Sequence, residues 1–345
     1  MLKIAVVGSS GYAGGELIRI LLGHKEVEIV AVTSEKSAGQ HIATLFPNFG
    51  RLLDLALEPL DPNVIASKAN FIFLAIPHMT AMNVGARFVG IGRRVVDLSA
   101  DYRFRDVSVY KEWYGEEHMQ PGLAVMSAYG LPELHRAEIK KAPIVGNPGC
   151  YPTGAILALA PLLKEGLVEP DSIVIDSKSG VSGAGRSPGL TYHFPELNEG
   201  FMAYKIGIHR HTPEIEQELS MLSGKEVKIS FTPHLAPMNR GIYSTCYAKM
   251  TKFKETEELQ KIYAKFYKAE FFVRILAKTY PNVISVKGSN FCDIALKSDP
   301  RTGRVVIVSA IDNLVKGAAG QAVQNMNIMM GFEETEGLKS LGMFP

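Results

Sequence analysis

Lys3-Ile4-Ala5-Val6-Val7-Gly8-Ser9-Ser10-Gly11-Tyr12-Ala13-Gly14 is the stretch on which the fold turns. Residues 3–7, a lone lysine followed by four apolar residues, read as a buried strand, and residues 14–22 carry the spacing of an amphipathic helix. The junction holds glycines at 8, 11 and 14. Glycine there lets the backbone turn tightly and approach a pyrophosphate, which the positive end of the following helix stabilises. A second strand over 27–33 completes a unit of about 30 residues. The spacing is GxxGxxG and not the commoner GxGxxG, and taken alone it fits an ordinary tight turn. Between a strand and a helix it predicts a dinucleotide site made of Gly8, Ser10, Gly11, Tyr12, Ala13 and Gly14.

The end of the second strand, Thr33-Ser34-Glu35-Lys36, bears on which dinucleotide. NAD enzymes usually place an acidic residue there to hold the ribose 2′-hydroxyl. Ser34 can donate to a 2′-phosphate and Lys36 adds positive charge, so NADP is favoured. One residue of misregister would instead make Glu35 the acidic partner.

Outward from this unit, residues 70–76 and 94–98 are β-rich, with a helical segment over 81–89 between them. Residues 143–145 read as the last strand of this half. Such alternation predicts a Rossmann-type α/β domain with a parallel sheet. After Cys150 a helix is expected over 152–164. Long β-type runs follow at 172–177, 227–231, 242–250, 283–286 and 304–310, interrupted by a helix over 255–272. That pattern predicts an α+β domain with a mostly antiparallel sheet. The expected division is a dinucleotide-binding domain over 1–149, completed by a C-terminal helical segment within 314–345, and a catalytic and oligomerisation domain over 150–313.

Composition agrees with this division. The 345 residues are too many for one ordinary domain and enough for two, and 46% of them are apolar. The 37 basic and 35 acidic residues nearly balance, which argues against a nucleic-acid or membrane-surface protein. No apolar run approaches the ~20 residues of a membrane span. Residues 3–7 read as a strand and not as a signal peptide. The three cysteines, at 150, 246 and 292, form no CxxC pair, which suits a reducing compartment and a cytoplasmic enzyme.

Cys150 is followed by Tyr151-Pro152-Thr153 and an apolar helical run. Proline suits the first helical position, so the cysteine is expected at a helix N-terminus, where partial positive charge favours a thiolate. Cys246 and Cys292 lie in strand-like runs and read as packing residues. The partner for a nucleophilic Cys150 is sought in His209-Arg210-His211-Thr212-Pro213-Glu214, a cluster of ionisable groups entering a helix. Its two histidines lack a further ligand at matching spacing, so no metal is expected. His24, His41, His118 and His135 have no such context. Arg103 and Arg105 follow the end of a strand, where open α/β sheets bind ligands, and Arg186 closes a glycine-rich loop. Arginine forks fit phosphate, although each of these also reads as an ordinary solvated arginine.

Together these segments resemble the N-acetyl-γ-glutamyl-phosphate reductases of arginine biosynthesis, within the wider aspartate-semialdehyde dehydrogenase group. The resemblance spans essentially the whole chain. Besides the glycine loop it is carried by Leu98-Ser99-Ala100-Asp101-Tyr102-Arg103, Gly130-Leu131-Pro132-Glu133 and Gly146-Asn147-Pro148-Gly149-Cys150-Tyr151-Pro152-Thr153. Further on it is carried by Ser179-Gly180-Val181-Ser182-Gly183-Ala184-Gly185-Arg186, by the histidine cluster, and by Ala310-Ile311-Asp312-Asn313-Leu314-Val315-Lys316-Gly317. It implies Cys150 as nucleophile, His209 as acid/base, and Gln321 near the nicotinamide amide. It also implies Gly183 among the cofactor residues, and Asn147, Arg103, Arg186, Tyr204 and His211 around a small acyl-phosphate substrate. A homodimer or homotetramer is implied as well.

Three rivals remain open at this stage. Aspartyl phosphate, or a carrier-bound aminoadipyl phosphate of lysine biosynthesis, would serve the same chemistry. The latter family has an Asn-Ala step where this chain has Tyr151-Pro152. A third rival is a dinucleotide-binding sensor without chemistry, which would have no use for a thiol, histidine and arginines together.

Overall fold

The apolar run before the glycines is β1 (Leu2–Val7), and its last four residues are buried. In the computed structural model, which describes residues 1–344, the chain forms two units. One comprises Met1–Pro148 and Ala318–Lys339; the other comprises Gly149–Gly317 with the segment from Ser340 onward.

The first unit is a seven-stranded sheet. After β1 come β2 (Val27–Thr33), β3 (Leu57–Glu58), β4 (Phe71–Leu74), β5 (Arg94–Asp97), β6 (Ala128–Tyr129) and β7 (Ile144–Gly146). The order across the sheet is β3-β2-β1-β4-β5-β7-β6, with every pairing parallel. Parallel strands are covered on both faces, which is why β1 and β4 read as nearly continuous apolar runs without alternation. Ala5, Val7, Ile72, Leu74 and Val95 share one core with Ile65 and Phe88 from flanking helices. The strand order reverses at β1, so the switch point of the sheet lies between β1 and β4. The helix Gly320–Met330, from the far end of the chain, packs on the helices Tyr12–Leu21 and Pro132–Lys141 of this unit.

The second unit holds β8 (Val174–Gly180), β9 (Met202–Ala203), β10 (Ser230–Ala236), β11 (Ile242–Lys249), β12 (Val273–Ile275), β13 (Cys292–Asp299) and β14 (Arg304–Ile311). They pair in the order β12-β13-β14-β11-β8-β10-β9. Only β8–β10 and β12–β13 are parallel; the other pairings are antiparallel. Along β11 the residues Ile242, Ser244, Cys246 and Ala248 are buried in alternation with more exposed ones, the signature of a sheet with unlike faces. The helix Cys150–Lys164 lies on β11 and β14 and is buried from Tyr151 to Leu163, so it is apolar all round. Pro161 inside it has no N–H to give to the Leu157 carbonyl. The Tyr267 hydroxyl donates there instead, at 2.6 Å.

Several expected elements differ. Residues 283–286, expected as a strand, form the short helix Val283–Val286, because the Asn282 side chain accepts from Ile284 N–H and starts a helical turn. A short apolar run cannot be assigned by period alone. The expected strand over 227–231 begins later, as β10. The helix over 255–272 stops at Phe266 and is followed by β12. The C-terminal helix starts with a π-helical turn, Val315–Ala319, before Gly320–Met330. The edge strands β3, β6 and β9 have two residues each, too few to leave a pattern. Among the described residues no helix is long and apolar enough to cross a membrane.

Candidate active site

In the first unit the glycine loop is shaped by contacts that only glycine permits. Gly8 has φ +87°, and a Cβ there would stand 2.4 Å from the Ala75 carbonyl oxygen and 2.7 Å from Ile76 Cγ2. A Cβ on Gly14 would stand 2.5 Å from the Gly8 carbonyl oxygen. Gly11 caps the helix Tyr12–Leu21 without a side chain. The first intrahelical donor is Gly15, whose N–H reaches the Gly11 carbonyl at 2.9 Å. The N–H groups of Tyr12, Ala13 and Gly14 come before it, in the first turn, where a phosphate is bound. Gly8→Ala is therefore expected to weaken dinucleotide binding by about tenfold or more, read from a fluorescence titration with reduced dinucleotide.

At the end of β2, Ser34 is buried and donates from Oγ to Ser10 Oγ at 3.0 Å, tying the glycine loop to the second strand. Glu35 is turned to the Leu60 N–H, which it accepts at 2.8 Å. Lys36 is exposed. Gln321 is fully buried in the same unit; its Nε2 donates to the Gly130 carbonyl at 2.9 Å, while Oε1 has no hydrogen-bond partner. A buried acceptor left open in this way suits an N–H donor brought by a ligand.

Past β5, the Asp97 carboxylate accepts from Ser99 N–H and Ser99 Oγ, and Ser99 Oγ accepts from Asp101 N–H. Burial, reinforced by the nearby Asp101, pushes the Asp97 carboxyl up to about 7. Arg103 is buried, donating from Nε to the Asn147 carbonyl (2.7 Å) and from Nη2 to the Leu98 carbonyl (2.9 Å). Asn147, at the end of β7, donates from Nδ2 to the Ala318 carbonyl (3.0 Å) and accepts at Oδ1 from Asn325 Nδ2 (3.0 Å). The geometry thus joins Arg103, Asn147 and the Gly320–Met330 helix in one buried network.

In the second unit, Cys150 is the first residue of its helix, with Gly149 as the cap and Pro152 in third place. The helix begins two residues earlier than the proline suggested, and proline is still tolerated in that first turn. The thiol is partly exposed, whereas Cys246 and Cys292 are fully buried in strands. Gly149 is held from two sides. Its N–H donates to Glu214 Oε1 at 2.7 Å, and a Cβ on it would stand 2.5 Å from His211 Nε2. Glu214 is fully buried in the first turn of the helix Thr212–Ser223.

The histidines stand in an aromatic box. The Tyr151 ring meets His209 and His211 edge-on at 5.5 and 5.9 Å, the two imidazoles lie 4.8 Å apart, and Phe231 closes on His209 at 5.4 Å. His209 Nδ1 accepts from the His211 N–H at 3.1 Å, which puts the proton of the neutral ring on Nε2. The Tyr204 hydroxyl donates to the Tyr151 hydroxyl (3.1 Å), which donates to the His234 carbonyl (3.2 Å). Burial pushes the Tyr204 hydroxyl up to about 12. Gly183 and Arg186 are exposed, in the segment after β8. Among the described residues no group of three or more His, Cys, Asp or Glu is placed to hold a metal ion.

Burial, aided by the charges of Lys205 and Arg210, lowers His209 from 6.5 to about 4. Its folded value is depressed, so the stability linked to it is complete above the unfolded value and lost as pH falls toward the folded one. Between pH ~6.5 and ~4 the protein should therefore lose on the order of 2 kcal/mol more than a His209→Asn variant. Parallel thermal melts across that range check this; identical acid slopes would refute it.

The chain's family is clear. It belongs to the semialdehyde dehydrogenase family: residues 3–142 match its NAD binding domain and residues 150–313 its dimerisation domain. Within that class, the chain is 57% identical over 347 residues to the N-acetyl-gamma-glutamyl-phosphate reductase of Geobacter metallireducens, covering 100% of both chains. The protein of the same name from Moorella thermoacetica is 52% identical, again with 100% of both chains covered. Among solved structures, aspartate semialdehyde dehydrogenase II complexed with ASA from Vibrio cholerae superposes with a TM-score of 0.74 at 14% identity, covering 96% of this chain and 98% of that one. Aspartate semialdehyde dehydrogenase with NADP from Candida albicans gives 0.72 at 16% identity, with the same coverage. Identities that low speak for the fold alone.

Two residues whose roles the sequence did not suggest stand out. Glu214 was visible only as one member of an ionisable cluster; its hold on Gly149 spans 65 positions. Asp101 lay inside a recognised motif, but nothing in its surroundings in the chain names the N–H groups it accepts.

Proposed function

We propose that this chain reduces N-acetyl-γ-glutamyl phosphate to N-acetylglutamate semialdehyde and inorganic phosphate with NADPH, in arginine biosynthesis. The observation that carries the reading is Cys150 at the first position of a buried helix, its neighbour Tyr151 packed on two boxed histidines, in a chain 57% identical over its full length to a reductase of that name.

The chain's own residues supply most of the chemistry. The helix N-terminus favours the Cys150 thiolate. Glu214 and His211, gripping Gly149, fix where that sulfur points. The thiolate attacks the γ-carbonyl carbon, the C–O bond to phosphate breaks, and phosphate leaves a thioester on Sγ. Reduced nicotinamide, when bound, supplies the hydride that turns this carbon into a thiohemiacetal alkoxide. His209 donates a hydrogen bond from its Nε2–H to that oxygen, and the N–H dipoles of the helix start add to it, so the alkoxide collapses with no net proton transfer. The C–S bond then breaks, the aldehyde leaves, and the thiolate is regenerated.

The residues fit a dinucleotide: the cradle excludes Cβ atoms at Gly8 and Gly14, and Gln321 presents an open acceptor suited to a carboxamide N–H. The phosphorylated form is favoured because Glu35 is engaged by the Leu60 N–H, while exposed Lys36 adds positive charge next to the Ser34–Ser10 hydroxyl pair. Arg103 and Asn147 are read as substrate residues carried by the first unit; Arg186, Tyr204 and His211 are read as substrate residues, and Gly183 as a cofactor residue, carried by the second. A homodimer or homotetramer assembled through the dimerisation domain, in the cytoplasm, completes the reading.

The test is to mix the enzyme with the acyl phosphate and no reduced cofactor. One phosphate per site should be released, and the Cys150 peptide should carry an N-acetylglutamyl group that hydroxylamine removes. An unmodified Cys150 peptide after phosphate release would contradict the thioester.

A further inference from the structure

The motif Leu98-Ser99-Ala100-Asp101-Tyr102-Arg103 contains an acid that the chemistry above leaves without a task. Asp101 is 1% exposed, and its carboxylate accepts three hydrogen bonds. Oδ1 takes the Met79 N–H (3.1 Å) and the Tyr110 hydroxyl (2.8 Å), and Oδ2 takes the Met82 N–H (2.7 Å). On its backbone side, the Asp101 carbonyl lies 2.6 Å from His118 Nε2.

Met79 is the cap of the helix Thr80–Gly90, and its side chain makes no capping bond. Met82 is the third residue of that helix. The orphan N–H groups of this helix start are therefore satisfied by an acid distant in sequence, in place of a local Ser, Thr or Asp. Met79 also stands at φ +69°, ψ −48°, a backbone conformation that side chains other than glycine rarely adopt. Such strain persists only where the surroundings enforce it, and it clusters at functional sites.

The place of this segment gives the strain a purpose. It follows β4, and the strand order reverses between β1 and β4, where open α/β sheets bind ligands beyond the carboxyl ends of their strands. The glycine loop after β1 is one wall of that crevice. The chain after β4 is the other, since Ala75 and Ile76 already fill the space beside Gly8. Residues 77–80 continue that second wall.

We infer that Asp101 is a positioning residue for the dinucleotide: by holding the N–H groups of Met79 and Met82, it keeps residues 77–80 in the strained form that completes the wall opposite the glycine loop. The inference rests on the dinucleotide reading of that loop. Asp101 need not touch the cofactor.

The test is a fluorescence titration of the full-length protein with NADPH, with thermal melting and steady-state kinetics alongside. Asp101→Asn keeps the shape but turns one acceptor into a donor facing N–H groups. Its Kd for NADPH should rise about tenfold. The kinetic effect should fall on KM for NADPH, with KM for the acyl phosphate within about twofold. Met79→Gly adopts the left-handed backbone without strain, and added to Asp101→Asn it should bring Kd back to within about threefold of wild type. Tyr110→Phe removes a donor that lies off the loop and should leave Kd within about twofold.

Wild-type affinity in Asp101→Asn overturns the inference, and so does a lost affinity that Met79→Gly does not recover. If Asp101→Asn fails to fold, Met79→Pro removes the same N–H and the same φ at a position 42% exposed. It should raise Kd about tenfold, and an unchanged Kd overturns the inference equally. A wild-type protein without affinity for NADPH would refute the dinucleotide reading itself.

Discussion

Replacing Cys150 with serine is expected to lower turnover by at least about 10³-fold and to leave dinucleotide binding unchanged. The hydroxyl keeps the size and the place of the thiol but not its acidity, and a helix N-terminus contributes only about 1 kcal/mol toward ionising it. Alkoxide is too scarce at neutral pH to attack, and an ester of serine would be a poorer acyl donor to hydride than a thioester. Dinucleotide binding is assigned to the glycine loop of the other unit, so its titration should be unaffected. The two readouts together separate a lost nucleophile from a lost fold. Turnover within about tenfold of wild type would remove Cys150 from the mechanism.

The second large effect is expected at His209. His209→Asn puts a neutral amide in place of the imidazole whose Nδ1 is fixed by the His211 N–H and whose Nε2 carries the proton. A loss of about 10²-fold or more in kcat, with KM for the acyl phosphate little changed, is expected for a group acting on the developing oxyanion. Because burial lowers His209 to about 4, the ring is neutral throughout the working range. The wild-type rate should therefore show no limb from this residue near pH ~6.5, the value of an exposed histidine. A rise in KM alone would make His209 a binding residue, and unchanged kinetics would assign its role to His211.

The sequence made the parallel half legible because each signal there is local. The run before Gly8, the glycines themselves and the second strand lie within one unit of about 30 residues, and parallel strands declare themselves by continuous apolarity. In the second half the expected runs fell on β8, β11 and β14, whereas β13, equally long, was not among them, and the run 227–231 met only the first residues of β10. Val283–Val286 is apolar and β-branched, yet the Asn282 cap decides its conformation.

The candidate site was legible where one residue carries the chemistry. Cys150 followed by a helix announces itself, and the two histidines fall in one short cluster. Groups that act by gripping a distant residue were not legible. Glu214 reaches Gly149, Asn325 reaches Asn147, and Asp101 reaches Met79 and Met82, each through an N–H to oxygen bond that leaves no spacing in the sequence. The part proposed for Gln321 came from family resemblance alone; the open Oε1 gives that proposal a physical reason.

The measurement that tests the central claim most directly is the reverse reaction, followed by the absorbance of the reduced nicotinamide. N-acetylglutamate semialdehyde, phosphate and NADP should yield NADPH in proportion to phosphate, and aspartate semialdehyde in its place should yield none. NADPH formation that ignores phosphate, or that proceeds as well with aspartate semialdehyde, would contradict the account.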